Sequence, residues 1–111
     1  MPINFRDLFS FQPAEVKQAF AVAVKLGYGQ GVKLIKAPTI TPYSKLLVVT
    51  PRASGKAHDR NLIRRRAKAI FYELAVHDKP AIFIMLVNKR ATEGSFDALK
   101  AFLLKHICSK S

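Results

Sequence analysis

Residues 55–71 read GKAHDRNLIRRRAKAIF and hold six basic side chains against one acid, Asp59, with His58 beside it. Wound as a helix at about 100° per residue, Arg60, Asn61, Arg64, Arg65 and Lys68 fall within an arc of roughly 140°. Ile63, Ala67, Ile70, Phe71 and Leu74 form a neighbouring apolar stripe. Arg60 and Arg64, and Arg64 and Lys68, are like charges one turn apart, and each such pair destabilises an isolated helix by about 0.2–0.5 kcal/mol. Cations in the first turn also oppose the helix dipole. Local rules broken repeatedly in one direction mark a functional face. The chemistry that suits these residues is phosphate recognition. Arginine offers a planar fork that grips two oxygens, Asn61 adds donors and an acceptor, and Arg52 and Lys56 extend the charge upstream. The glycine in SGKA permits close backbone approach, and the free N–H groups of a helix start favour anions.

Other chemistry finds little support. Histidine pairs can cleave RNA by general acid–base catalysis. On one continuous helix, however, His58 and His77 stand about 28 Å apart at ~1.5 Å per residue. His106 with Cys108 is too sparse for zinc, which takes four ligands. The seven acidic residues are scattered, with no pair set for two-metal work. The residues therefore name no catalytic group and no metal ligand in this chain.

The whole chain carries the same bias. It has 111 residues, 19 Lys and Arg against 7 Asp and Glu, and a formal net charge of +12. Such a charge repels itself in a compact state and points to an anionic partner: nucleic acid, an anionic membrane or an acidic protein. Half the residues are hydrophobic, enough for one folded domain spanning 1–111. A single cysteine excludes an internal disulfide and suits a reducing compartment. No apolar run reaches membrane-spanning length and no secretory signal shows at the N-terminus, so a cytoplasmic protein is expected.

The elements that must position the basic face follow from periodicity and punctuation. A helix is expected over 13–26, entered at Pro13 and left at Gly27, with Val16, Ala19, Phe20, Ala23 and Val24 on its apolar side. GYGQG (27–31) reads as a flexible connector. Strands are expected over 32–37 and 45–50, with Pro38 and Pro42 in the turn between them and room for one more short strand in TITPY. The basic helix runs from 58 to about 76. AIFIMLV (81–87) reads as a strand buried on both faces. A last helix opens at Ser95 with Phe96, Leu99, Phe102, Leu103 and Ile107 inward. The order gives an α+β fold, a small mixed sheet packed with helices in a two-layer sandwich.

Gly55-Lys56-Ala57-His58-Asp59-Arg60-Asn61-Leu62-Ile63-Arg64-Arg65 resembles the G-K-A-x-x-R-N-R-x-K-R signature of bacterial ribonuclease P protein subunits. Glu15-Val16-Lys17-Gln18-Ala19-Phe20 is similar to that family's D-F-x-x-V-F on the first helix, and FDALKAFLLKHI to its last helix. Val49-Thr50-Pro51-Arg52 keeps only the basic character of the family's V-S-K-K. The likeness covers about residues 13–107 and is strong over 55–68. Two departures stand out. Leu62 occupies the place of the second arginine of R-N-R, with Arg66, absent from the pattern, one turn on; and Val16 replaces the first cleft phenylalanine.

The resemblance implies the protein subunit of a ribonucleoprotein endoribonuclease. Its RNA subunit, holding Mg²⁺, removes the 5′ leader from precursor tRNA, with one protein per RNA. It implies a family-type left-handed βαβ crossover, where strand twist alone favours a right-handed one. It also implies that Arg52, Lys56, Arg60, Asn61, Arg64, Arg65 and Lys68 contact the RNA subunit. A cleft between the sheet and the first helix would receive the single-stranded leader. Phe20 and Lys17 are expected on the helix side of that cleft and Tyr43 or Lys45 on the sheet side, because exposed aromatics stack bases and lysines track phosphates. A ribosomal-type protein that only binds structured RNA fits the composition as well and is separated by the GKAxxRN spacing. A DNA-reading helix-turn-helix is disfavoured because a strand and loop precede the basic helix. A membrane-surface helix is disfavoured because the apolar stripes serve the core.

Overall fold

The computed structural model describes residues 8–29, 31–39, 43–74, 81–90 and 96–107. The elements are α1 (Pro13–Val22), β1 (Val24–Gly29), β2 (Val32–Pro38), β3 (Lys45–Val49), α2 (Ala57–Leu74), β4 (Ala81–Val87) and α3 (Phe96–Ile107). The strands form one sheet in the order β1-β2-β4-β3. β1 and β2, and β2 and β4, pair antiparallel, while β3 runs parallel to β4. The fold is the expected α+β class with a mixed sheet. α2 is the crossover that joins the two parallel strands, which is why a long helix lies across the sheet at all.

Side-chain alternation divides the sheet into two faces. Leu34, Leu46, Phe83 and Met85 project into a cluster with Ile63, Ala67, Ile70 and Phe71 of α2 and Leu99, Phe102, Leu103 and Ile107 of α3. Ile35, Ala37, Ile82 and Ile84 project to the opposite side and meet Ala19 of α1. β4 serves both clusters, so its sequence is apolar throughout. Phe71 is almost fully buried, with Phe9 and Phe83 meeting its ring edge-on at centroid distances of 6.0 and 5.9 Å. Burial of a side chain this size contributes roughly 1.5–3 kcal/mol.

Among the described residues before α1, three apolar side chains are part of this packing. Leu8 and Phe9 join the α2–α3 cluster, while Phe11 joins the α1 cluster. The chain therefore passes from one face of the sheet to the other beside β3. Pro13 begins α1, and the Gln12 N–H donates to Glu15 Oε1 at 3.4 Å across its first turn. The Glu15 carboxylate also takes two contacts, both 3.0 Å, from the Lys45 ammonium on β3.

The largest correction concerns residues 23–29. The first helix ends at Val22, Ala23 is extended, and Val24–Gly29 is a strand rather than a helix end and a flexible connector. The cause lies in α3. A Cβ on Gly27 would stand 2.4 Å from the His106 ring, and one on Gly29 3.3 Å from Phe102. The glycines let α3 lie directly on the strand backbone. The turn into β2 falls to Gly31, whose φ of 76° is the left-handed conformation glycine adopts freely.

Smaller corrections follow the same logic. β2 runs one residue further, to Pro38, and β3 ends at Val49. Phe96, expected inward, is 37% exposed at the first position of α3. The proposed cap Ser95, the end of the basic helix beyond residue 74, and most of the TITPY segment lie outside the described residues.

Candidate nucleic-acid interface

β3 ends at Val49, and the chain makes one tight turn over Arg52–Ser54 before α2. The Gly55 N–H donates to the Arg52 carbonyl at 3.3 Å, and Gly55 adopts φ 146°, a conformation that side-chain-bearing residues rarely take. The Lys56 carbonyl then accepts from the Arg60 N–H at 3.0 Å and starts the helix. The glycine of the basic motif is thus a hinge that aims α2 back across the sheet, leaving Arg52 and Lys56 exposed at the connection.

The buried stripe Ile63, Ala67, Ile70 and Phe71 fixes the roll of α2 and sends its basic arc outward. His58, Asn61, Arg64, Arg65 and Lys68 line one open depression. Four of the seven sequence-predicted RNA contacts therefore converge, with His58 as an addition. Arg64 Nη2 donates to Asn61 Oδ1, which orients the guanidinium. The Lys68 ammonium lies 5.5 Å from the Phe9 ring centroid, a contact between the depression's edge and the N-terminal segment. Arg60 sits on the flank, partly buried, and its Nε has no hydrogen-bond partner among the described residues. The two described ion pairs, Lys45 with Glu15 and Lys100 with Glu73, involve none of these cations. The depression presents uncompensated positive charge with forked donors at its rim, an arrangement suited to phosphate oxygens.

A second surface lies on the α1 side of the sheet. α1 is short and buries only Ala19 fully, so it leaves part of that face open. On α1, Lys17 is exposed and Phe20 is 43% exposed. Of the two expected sheet-side residues, Lys45 lies on the α1 side and Tyr43 does not. Lys45 is nearly buried, held by Glu15 and 4.3 Å from the Phe11 ring centroid, so its charge is engaged inside the protein. Tyr43 packs against the α2–α3 cluster, on the other face. The register places Tyr28 and Lys33 on the open face, as it does Lys25 opposite Ile35. Tyr28 and Lys33 are cross-strand partners, and Lys33 alternates with Leu34 to share a face with Ile35. Tyr28 is 58% exposed, and its hydroxyl accepts from Asn88 Nδ2 at 3.2 Å, which steadies the ring. The alternation of β2 carries a signal for Lys33, but Tyr28 was hidden between two glycines.

The two described histidines, His58 and His106, do not form a pair. His58 faces the depression, His106 tilts against Phe102 at 4.5 Å over β1, and His77 and Cys108 lie outside the described residues. Among the described residues there is no group of three or more His, Cys, Asp and Glu that could hold a metal. No described helix is long and apolar enough to cross a membrane.

A mixed four-stranded sheet with a basic crossover helix is the fold of a known class of proteins. The chain superposes on a variant of the Staphylococcus aureus RNase P protein with a TM-score of 0.81, at 13% identity, over 93% of this chain and 87% of that one. The family model described as Ribonuclease P matches residues 4–110, and the chain belongs to that family. It is 34% identical over 84 residues to the ribonuclease P protein component of Onion yellows phytoplasma (strain OY-M), covering 73% of this chain and 60% of that relative's length. It is 28% identical over 93 residues to the component from Phytoplasma australiense, covering 83% and 81%.

Proposed function

We propose that this chain is the protein subunit of a ribonuclease P ribonucleoprotein, which binds the RNA subunit through α2 and assists removal of the 5′ leader from precursor tRNA. The observation that carries the reading is the convergence of Asn61, Arg64, Arg65 and Lys68 in one depression on the crossover helix of a chain that the family model matches almost throughout. Arg52, Lys56 and Arg60 continue the same charge along the strand-to-helix connection. In this reading the RNA subunit performs the cleavage and holds the Mg²⁺ that activates water and steadies the leaving oxygen. The protein's own work is electrostatic and positional. α2 neutralises phosphates near the catalytic RNA, and the face bearing Tyr28, Lys33, Phe20 and Lys17 receives the single-stranded leader by base stacking and phosphate contact. One protein serves one RNA, in the cytoplasm.

Reconstitution tests the reading. The full chain is mixed with a bacterial RNase P RNA at low Mg²⁺ and cleavage of precursor tRNA is followed. Stimulation over RNA alone is expected; binding without stimulation would favour a structured-RNA-binding role instead. Arg60→Ala and Arg64→Ala each remove a charge-assisted contact and should weaken RNA binding by about 1–3 kcal/mol with the fold intact. Wild-type affinity in both would count against α2 as the docking helix.

A further inference from the structure

We propose that His58 is a further contact of the depression on α2, one that holds a phosphate of the RNA subunit as the imidazolium, so that docking takes up a proton. The inference rests on the reading above, that α2 docks on that RNA. His58 lines the depression together with Asn61, Arg64, Arg65 and Lys68. At about 100° per residue it lies about 20° round α2 from Arg65 and about two turns before it, so the two side chains stand on one stripe of the helix. His58 is exposed and belongs to neither apolar cluster. Among the described residues it makes no hydrogen bond, ion pair or ring contact. Packing therefore leaves the imidazole without a task, and its place beside the arginines supplies one.

Histidine differs from arginine and lysine in that its charge changes between about pH 5 and 8. The imidazolium offers two N–H donors and a positive charge to a phosphate oxygen, whereas the neutral ring keeps one donor. A phosphate beside the ring favours the charged form, so protonation and docking reinforce each other. The charged groups around His58 are Arg64, Arg65 and Lys68, which line the same depression, and Lys56, exposed two residues earlier. Asp59, the nearest acid in sequence, is partly buried about 100° round the helix and takes part in neither described ion pair. From outside α2, the N-terminal segment meets this edge through the uncharged ring of Phe9, at Lys68. No described carboxylate pairs with His58 in the free protein, and the phosphates of the docked RNA are the anions that do.

The test measures the affinity of the full chain for the RNA subunit alone, without precursor tRNA, in salt series at about pH 6 and about pH 8. Wild type is expected to gain roughly threefold to tenfold in affinity at the lower pH, with a dependence of log affinity on log salt steeper by up to about 0.7–0.9, the gain of one phosphate contact. His58→Gln should lose most of that gain. The other histidines are common to both proteins, so the difference belongs to position 58. His58→Lys carries its charge at both pH values and should bind more tightly than His58→Gln at the higher one, with the steeper slope. Calorimetry near neutral pH, in two buffers of different ionisation enthalpy, should show proton uptake on docking that falls in His58→Gln. A pH response equal in wild type and His58→Gln, or His58→Lys no tighter than His58→Gln, while Arg64→Ala is weakened at both pH values, overturns this inference alone. If Arg64→Ala also binds as wild type, the assignment of α2 falls and this contact falls with it. Urea midpoints at both pH values separate lost contacts from lost folding.

Discussion

Glu15→Ala should destabilise the protein far more than its place on a short surface helix suggests. The Glu15 carboxylate holds the Lys45 ammonium with both oxygens at 3.0 Å, and the two side chains are 22% and 7% exposed. Removing one partner of a buried pair costs about 3–5 kcal/mol, because the remaining charge stays desolvated. Two features lower that figure. Lys45 begins an edge strand, from which a flexible stem can reach water, and Phe11 lies 4.3 Å from its ammonium. The expected loss is about 2–3 kcal/mol. Lys45→Met should cost less, about 1–2 kcal/mol, because the more exposed carboxylate can rehydrate. The double variant Glu15→Leu/Lys45→Met should return to within about 1 kcal/mol of wild type, because neither charge is left alone. Urea denaturation followed by circular dichroism reads these values, provided the slope m is unchanged. A loss below about 0.5 kcal/mol for Glu15→Ala, or a double variant equal to the sum of the singles, would refute the idea that this pair pins α1 to the sheet.

Gly27→Ala should cost about 1–3 kcal/mol, because the new Cβ forces the His106 ring aside, and His106→Ala in the same chain should recover most of it in a thermal melt. Tyr28→Ala should leave stability almost unchanged while weakening binding of leader-bearing precursor tRNA, relative to mature tRNA, by about 1–3 kcal/mol in the reconstituted complex. Equal effects on both tRNAs would remove Tyr28 from the leader surface.

The basic helix was legible in the sequence because two periodic signals coincide in it. The apolar stripe at helical spacing fixes its roll, and the cations of the basic arc then point away from the core. β4 was legible for a similar reason, since a strand covered on both faces reads as an unbroken apolar run. β1 was not. Val24 continues the spacing of the preceding helix, and three glycines in GYGQG resemble a linker. What makes 24–29 a strand is contact with Phe102 and His106, far away in the chain, which no local pattern reports. The proposed leader face was half legible for the same reason. The exposure of Lys17 can be read from the helix pattern, whereas Phe20, which that pattern puts on the apolar side, is 43% exposed. The choice between Tyr43 and Tyr28 depends on which face of the sheet each reaches. The β1–β2 register shifts between Lys25 and Gly27, so counting residues along β1 gives the wrong parity for Tyr28.

That register shift also bears on how the free protein behaves in concentrated solution. β1 is an outer strand of the sheet, with backbone groups that could template a neighbouring chain. The bulge beside Lys25 bends this rim away from a straight partner, and a net charge of +12 keeps copies apart. The two defences respond differently to their surroundings. Molar salt shrinks the reach of charge repulsion from about 10 Å to about 3 Å and leaves the bulge as it was. A polyanion that neutralises the surface has the same effect. The bulge is therefore the safeguard that persists when the charge is screened, and straightening β1 would carry its cost as precipitation rather than as lost stability.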